Sequence, residues 1–598
     1  MGIWIASSNR YLAKGRVDCM EVRVAMAQIN VVTGDLKGNA LRIVKAMERA
    51  RQEGADIVVF PERALTGHCA GALLEQRHFI EDQRRYLYED IAARVPANLA
   101  IVVGIVPEQE QGTEPEPEQE PEQEPETETG PGSALIDQTV VIQGGRVVAL
   151  CASGAGSAQI CEIMVRGRNV RLALVLNQSC FAYGQLQERR ERCAALARKH
   201  GMPLVFLNAV GIGDTVKQFL IFDGGSMAMD STGKLLGNLA RFTEDYGIIT
   251  LDLDHEAGPG DKAALAPASA CSSVNVSPDK YEEIYEALKF AAQEVFRLSG
   301  IKKAQVHLSG GVDSAVVGAI AADAFGRENT VFITNPTADN SEHLKDLAHE
   351  IARNLGIPLW SNPTGPIYEE TVRQHIAAFG VEPTPAGRAS IQAVTRTVQG
   401  LAASHTFKTG ILAAGNHTEI VLGWASFHDI GSTGVMSLIG DLTKREVFGL
   451  ADYINRRFSF ACGSEKPDKP IPRMLFDQDE AHFVKPAAEL ADSKEDPIDY
   501  DLMSGICSLL GRQHMAPEEI IRQFADRRLD AELFPETVYQ KAEVFADEVW
   551  RAFRMSQRTV FKSGQAAPIP LVAPRRPGVY AQTLGTIINR YLGRYESL

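Results

Sequence analysis

The sequence predicts an α/β protein of more than one domain. Three observations carry that prediction. Both halves alternate short apolar runs with amphipathic stretches at helical spacing. Residues 255–278, "HEAGPGDKAALAPASACSSVNVSP", are rich in Ala, Gly, Ser and Pro and read as a linker between the halves. In the second half, "HLSGGVDSAVVGAI" (His307–Ile320) runs from an apolar strand through paired glycines into a helix, the layout of a phosphate-binding loop.

Taken in order, "VRVAMAQI" is a strand and "NALRIVKAMERARQEG" an amphipathic helix stopping at Gly54. The strands "IVVF" and "AIVVGIV" follow. "TVVIQGGRVVAL" is a hairpin about Gly144-Gly145. Strand "VRLALVLN", helix "LQERRERCAALARKHG" and strand "PLVFLN" come next, and "FLIFDGGSMAMDSTGKLLG" reads as a further meander. Past the linker, helix "YEEIYEALKFAAQEVFRLSG", strand "AQVHL", the loop and its helix, strand "TVFIT" and helix "SEHLKDLAHEIARNLG" form a βαβ run. Such a run makes a doubly wound parallel sheet with helices on both faces.

Composition excludes several classes. The chain of 598 residues is 45% hydrophobic and 23% charged, as a globular protein is. No apolar run is long enough for a membrane helix, and the N-terminus lacks a secretory pattern. Nine scattered cysteines without a CxxC pair fit reduced thiols in a cytoplasm. The net charge of −15 owes ten glutamates to one insert, residues 107–131, which is expected to stay solvated and disordered. What remains offers no nucleic-acid surface.

The loop Ser309-Gly310-Gly311-Val312-Asp313-Ser314 has no Walker lysine. Its glycines admit an anion to backbone N–H groups, and its serines add hydroxyl donors. An aspartate inside an anion site makes sense if Asp313 holds Mg2+ bridging phosphates. The pattern resembles the pyrophosphate loop of the N-type ATP pyrophosphatases, which adenylylate a carbonyl oxygen and release pyrophosphate.

"ILAAGNHTEIVLGWASFHDIGSTGVMSLIGDLTKREVFGLADYIN", with Gly415, Asn416, Glu419, Gly423, Asp429, Asp441, Leu442 and Lys444, resembles a stretch of the NAD synthetases within that class. "SIQAVTR", "KPAAELAD" (Lys485–Asp492) and "FKSGQAAP" (Phe561–Pro568) resemble further segments of that family. The resemblance implies ATP-dependent amidation of deamido-NAD+ (nicotinic acid adenine dinucleotide) through an acyl adenylate, giving NAD+, AMP and pyrophosphate. It implies ATP binding by Ser309–Ser314 and Ala414. It implies substrate binding by Ser390, Gln392, Arg396, Asn416, Glu419, Asp429 and Lys562. Mg2+ falls to Asp313 and Glu419, and stabilisation of developing negative charge to Lys444. Five positions depart from the family pattern: His307, Ser390, Val394, Ala414 and His417. At least a homodimer is implied, since this family builds its dinucleotide site across a dimer interface.

The first half resembles the nitrilase-type glutaminase domain fused to many NAD synthetases. The likeness lies in its opening from Val24 and in "PLVFLNAVGIGDTVKQFLIFDGGSMAMD", and it implies an α-β-β-α sandwich. By that likeness the expected starting Met is Met20, leaving residues 1–19 as an extension, 20–254 as the glutaminase-like domain and 279–598 as the synthetase domain. Nitrilase chemistry takes a Glu base, a Cys nucleophile and a Lys for the oxyanion. Glu62 of "FPE" fits the base. No lysine lies between Lys45 and Lys199. The family's nucleophile strand and the strand after it merge in "VRLALVLNQSCFAYGQ", which leaves Cys180 displaced and Cys161 ahead of the strand. The expectation is therefore nitrogen from free ammonia. The alternative is a rearranged glutaminase site in which Cys180 attacks and Arg146 replaces the lysine. Two other readings are a synthetase amidating another carboxylate and a nucleotide-binding pseudoenzyme.

Overall fold

The computed structural model describes residues 21–106, 138–152, 159–252, 279–461, 469–478 and 498–575, less 69, 216, 338–339, 425–427 and 564–565. The expected extension, acidic insert and linker, and the segment Lys485–Asp492, lie outside the described residues or almost wholly so.

Strand alternation builds the first half. In Glu21–Gln28, Val22, Val24 and Met26 point one way and Ala25 and Ala27 the other. The first set meets Cys161, Ile163, Val205 and Leu207 of a second sheet. The second set packs on helix Leu36–Gln52 through Leu36, Ala40, Ile43, Val44 and Met47. That helix starts where Asp35 accepts the amide of Gly38 at 2.9 Å. The first sheet runs, in spatial order, Asp245–Asp252, Glu21–Gln28, Ile57–Val59, Ala100–Ile105, Gln138–Gln143 and Arg146–Ala152. The second runs Leu235–Asn238, Met227–Met229, Leu204–Asn208, Arg168–Asn177 and Gln159–Val165, with helix Gln185–His200 outside it. Two sheets face to face between helices make an α-β-β-α sandwich, as the resemblance implied.

The stretch expected as one meander is divided between two sheets. Gln218–Asp223 pairs with Val210–Asp214, while Met227–Met229 joins the second sheet of the sandwich. Gly224 and Gly225 make the change of direction at φ 68° and 65°, and a Cβ on Gly224 would stand 2.3 Å from the Gln28 amide nitrogen. The small sheet takes a third strand, Ile569–Leu571, from the far end of the chain.

The second half has five parallel strands in the order Leu359–Ser361, Thr330–Thr334, Lys303–His307, Thr409–Ala413, Met436–Ser437. Strand order reverses between Lys303–His307 and Thr409–Ala413. The crevice at the carboxyl ends of strands beside such a switch point is where doubly wound sheets bind ligands. Helix Val312–Phe325 is buried on nearly every side, from Val312 through Ala321 except Asp313, and anchors the main core. Among the described residues, no helix is long and apolar enough to cross a membrane.

Candidate active site

The loop leaves strand Lys303–His307 at the switch point. Gly310 takes φ 91°, and a Cβ there would meet the Leu344 carbonyl oxygen at 2.1 Å, so backbone conformation and space both require glycine. Gly311 caps helix Val312–Phe325. The two serines hold the loop: the Ser309 amide donates to Ser314 Oγ (3.2 Å), and Ser314 Oγ donates to the Gly311 carbonyl (3.0 Å).

Beside the loop, Asn416 caps the short helix His417–Leu422 and forms a capping box with Glu419. Its Nδ2 donates to Asp313 Oδ1 at 3.1 Å. Lys444 opens helix Lys444–Ala461; its ammonium donates to Asp313 Oδ2 and stands 3.6 Å from Glu419 Oε1. One buried cation thus faces two carboxylates. Two carboxylate groups converging at a cavity wall suit a hard cation such as Mg2+. Among the described residues no three His, Cys, Asp or Glu side chains cluster for a metal. The remaining ligands would therefore have to be phosphate and water oxygens.

These groups wall a cavity of about 830 Å3. Ser309, Gly311, Val312, Asp313, Ser314, Ala414, Glu419, Asp429, Arg396, Lys444 and Lys562 all line it. Gly310 and Asn416 stand behind that wall, holding the loop and Asp313. Arg396 and Asp429 pair at 2.9 Å, and Lys562 Nζ donates to the Gly423 carbonyl at 2.9 Å. Burial pushes the Lys562 ammonium down from its ordinary value.

Besides Asn416, two expected substrate residues do not line the cavity. Helix Pro385–Phe407 turns Pro385, Ala386, Ala389 and Arg396 to the cavity. Ser390 lies one residue round, exposed, with its hydroxyl on the Ala386 carbonyl. Gln392 is buried but does not line the cavity. Sequence reasoning passed over Asn335 and Arg558, which do line it. Asn335 follows the strand next to the loop strand, and Arg558 is one helical turn before Lys562, so both carried a signal.

The departures settle into the fold. His307 bonds Asn335 Oδ1 through Nδ1 (2.7 Å) and Gln305 through Nε2 (2.9 Å). A Cβ on Gly400 would stand 2.9 Å from its Nε2. His417 is buried with Nε2 on the Cys507 carbonyl at 3.3 Å. Burial lowers His307 to about 4 and His417 to about 3, so both are neutral at pH 7. Val394 is exposed.

In the first half, Glu62 follows strand Ile57–Val59 and packs on Gly104, where a Cβ would stand 2.9 Å from the Glu62 Cα. Arg63 beside it takes φ 48°. One strand, Arg168–Asn177, pairs with Gln159–Val165 on one side and with Leu204–Asn208 on the other, with a single helix before the next strand. Cys180, just past its end, bridges to Phe222. Cys161 is fully buried between the sheets, an ordinary core residue. Arg146 cannot take the missing lysine's place. Its partner Gln143 stands opposite Ala100, which pairs with Ile57, so Arg146 and Glu62 lie at opposite ends of the sheet.

Comparison with known proteins agrees with both halves. The NAD synthase family matches residues 283–547 and the carbon-nitrogen hydrolase family residues 23–117. The glutamine-dependent NAD(+) synthetase of Synechocystis sp. is 27% identical over 91% of this chain and 95% of its own length. Two solved structures share the fold. The glutamine-dependent NAD+ synthetase of Acinetobacter baumannii, in complex with ADP, has a TM-score of 0.64 at 21% identity, over 94% of this chain and 96% of that one. That of Cytophaga hutchinsonii has a TM-score of 0.70 at 14% identity, over 96% of this chain and all of its own.

Proposed function

We propose that this chain, an NAD synthase domain preceded by a carbon-nitrogen hydrolase domain, makes NAD+ by ATP-dependent amidation of deamido-NAD+. The observation that carries this reading is the convergence of Asp313, Glu419 and Lys444 beside the Ser309–Ser314 loop on one cavity. A carboxylate resists attack until its oxygen belongs to a good leaving group. The loop amides and serine hydroxyls hold the departing pyrophosphate, and Lys444 balances charge that builds between the phosphates and the new ester. Mg2+, bound by Asp313 and Glu419, would neutralise phosphate charge. Arg396 and Lys562 offer cations to the dinucleotide.

On the nitrogen donor, the names of the relatives and the residues of this chain pull apart. The names support glutamine over the free ammonia expected from the sequence. Free ammonia stands as a second reading on one observation: no lysine lies between Lys45 and Lys199, the stretch where the resemblance calls for the oxyanion donor.

Val394, Val398 and Leu401 form an exposed stripe, with Ser390 one turn before it, and exposed Trp360, Phe379 and Val381 lie on neighbouring segments. An apolar patch of this kind marks a protein interface. It supports a second copy of the chain docking here and bringing Ser390 into the assembled site.

The test is NAD+ formation from ATP, Mg2+ and deamido-NAD+ with ammonium or glutamine supplied. Product with either donor supports the reading. Absence of product with both would leave the pseudoenzyme or another carboxylate substrate in its place.

A further inference from the structure

The first half meets the N-terminus of the helix that carries Lys444 at a buried point. Tyr183, three residues past Cys180, donates its hydroxyl to Glu446 Oε1 at 3.0 Å. Glu446 is the N3 residue of helix Lys444–Ala461. Its Oε2 accepts the Thr443 amide at 2.8 Å and the Thr443 hydroxyl at 3.0 Å, which closes a capping box around Lys444. Arg512 fixes the same carboxylate through both terminal nitrogens, at 3.2 and 2.6 Å, and also reaches the Asp441 carbonyl. Asp441 in turn accepts the amides of Val572 and Ala573 at 2.8 and 2.9 Å. Those residues follow the strand Ile569–Leu571 that pairs with Gln218–Asp223 of the first half. Tyr183 is tied to that same segment, its amide donating to the Val572 carbonyl at 3.0 Å.

Every member of this chain of contacts is buried. Burial, with Glu446 second, pushes the Tyr183 phenol far up, so it stays a donor. Against the burial that raises it, Arg512 holds Glu446 down to about 2, so it stays an acceptor. A fully ionised carboxylate at a helix N-terminus, fixed from three sides, sets where the first residue of that helix stands.

We propose that Tyr183 is a positioning residue for the synthetase reaction: through Glu446 it sets the place of Lys444 between Asp313 and Glu419. The first half then serves the amidation step independently of where the nitrogen originates. This rests on the function proposed above.

The test is Tyr183→Phe, which removes one hydroxyl and leaves the ring in its core. NAD+ formation with saturating ammonium should show kcat about tenfold lower, the size of one hydrogen bond to a charged group. KM for ATP should stay within about twofold and the melting temperature within a few degrees. Asn30→Ala is the control: it removes another contact between the halves, Asn30 Nδ2 to Glu294 Oε2 at 2.7 Å, which does not reach Lys444. Its kcat should match wild type. Equal kcat in Tyr183→Phe and wild type, or equal losses in both variants, would overturn the proposal by making Tyr183 an interface contact only. No product from wild type with ammonium would instead overturn the proposed function.

Discussion

Asp313 touches the loop helix, Asn416 and Lys444 at once, and the chemistry of the site turns on it. Removing it takes one of two carboxylates from Lys444 and would deprive Mg2+ of a ligand. Asp313→Ala or Glu419→Ala should lower ammonium-supported turnover at least about 100-fold. Circular dichroism should show the fold retained, because both groups face the cavity. Near wild-type turnover in either variant would remove it from the metal site. His417 gives a second prediction, on stability. Its folded value of about 3 lies below the ordinary 6.5, so protons bind the unfolded chain more readily than the folded one. Its contribution is therefore fully present above about pH 6.5 and is lost as pH falls toward 3, with a slope approaching ~1.4 kcal/mol per unit. Thermal melts from pH 7 to pH 4.5 should show His417→Gln losing less than wild type. Parallel curves would mean that other groups govern the acid limb.

At the scale of elements, legibility followed how local the signal was. The loop and its helix were readable because Gly310 has a backbone reason that no other residue meets. Gly310→Ala should abolish ATP-dependent turnover and cost a few kcal/mol, since the added Cβ collides with backbone and sits at positive φ. Stable, active Gly310→Ala would show that the loop rearranges freely. The division of "FLIFDGGSMAMD" between two sheets was not legible, since Gly224-Gly225 looks like any hairpin turn until Gln28 is seen against it. The pairing of Gln218–Asp223 with Ile569–Leu571 joins segments some 350 residues apart, and no local pattern encodes that. Ser390 stands off the cavity of the single chain for a related reason: family motifs fix sequence positions, while helix phase decides which side chain meets the cavity. The exposed stripe was present in the sequence but indistinguishable from a core face until its neighbours were known. Val398→Glu should shift the chain toward monomer in sedimentation velocity. An unchanged sedimentation coefficient would rule this face out as the interface.

At the scale of the whole molecule, an α-β-β-α sandwich that resembles carbon-nitrogen hydrolases over residues 23–117 is joined to a doubly wound parallel-sheet domain. The core between the sheets of the sandwich is closely packed with buried apolar side chains. Hydrolysing glutamine needs a base, a nucleophile and an oxyanion donor on one carbonyl. Glu62 remains, the lysine does not, and Arg146 sits at the wrong end of the sheet. Loss of one oxyanion donor typically costs ~100–1000-fold. On the free-ammonia reading, glutamine-supported NAD+ formation should trail the ammonium-supported rate by about 100-fold or more. Cys180→Ala should leave the ammonium-supported rate within about twofold, because Cys180 lies outside the synthetase cavity. Whatever glutamine-supported rate exists tells which remnant acts. If it vanishes in Cys180→Ala, that thiol is the nucleophile and the sandwich retains a rearranged site. A glutamine rate equal to the ammonium rate would mean that another group supplies the oxyanion donor in place of the missing lysine.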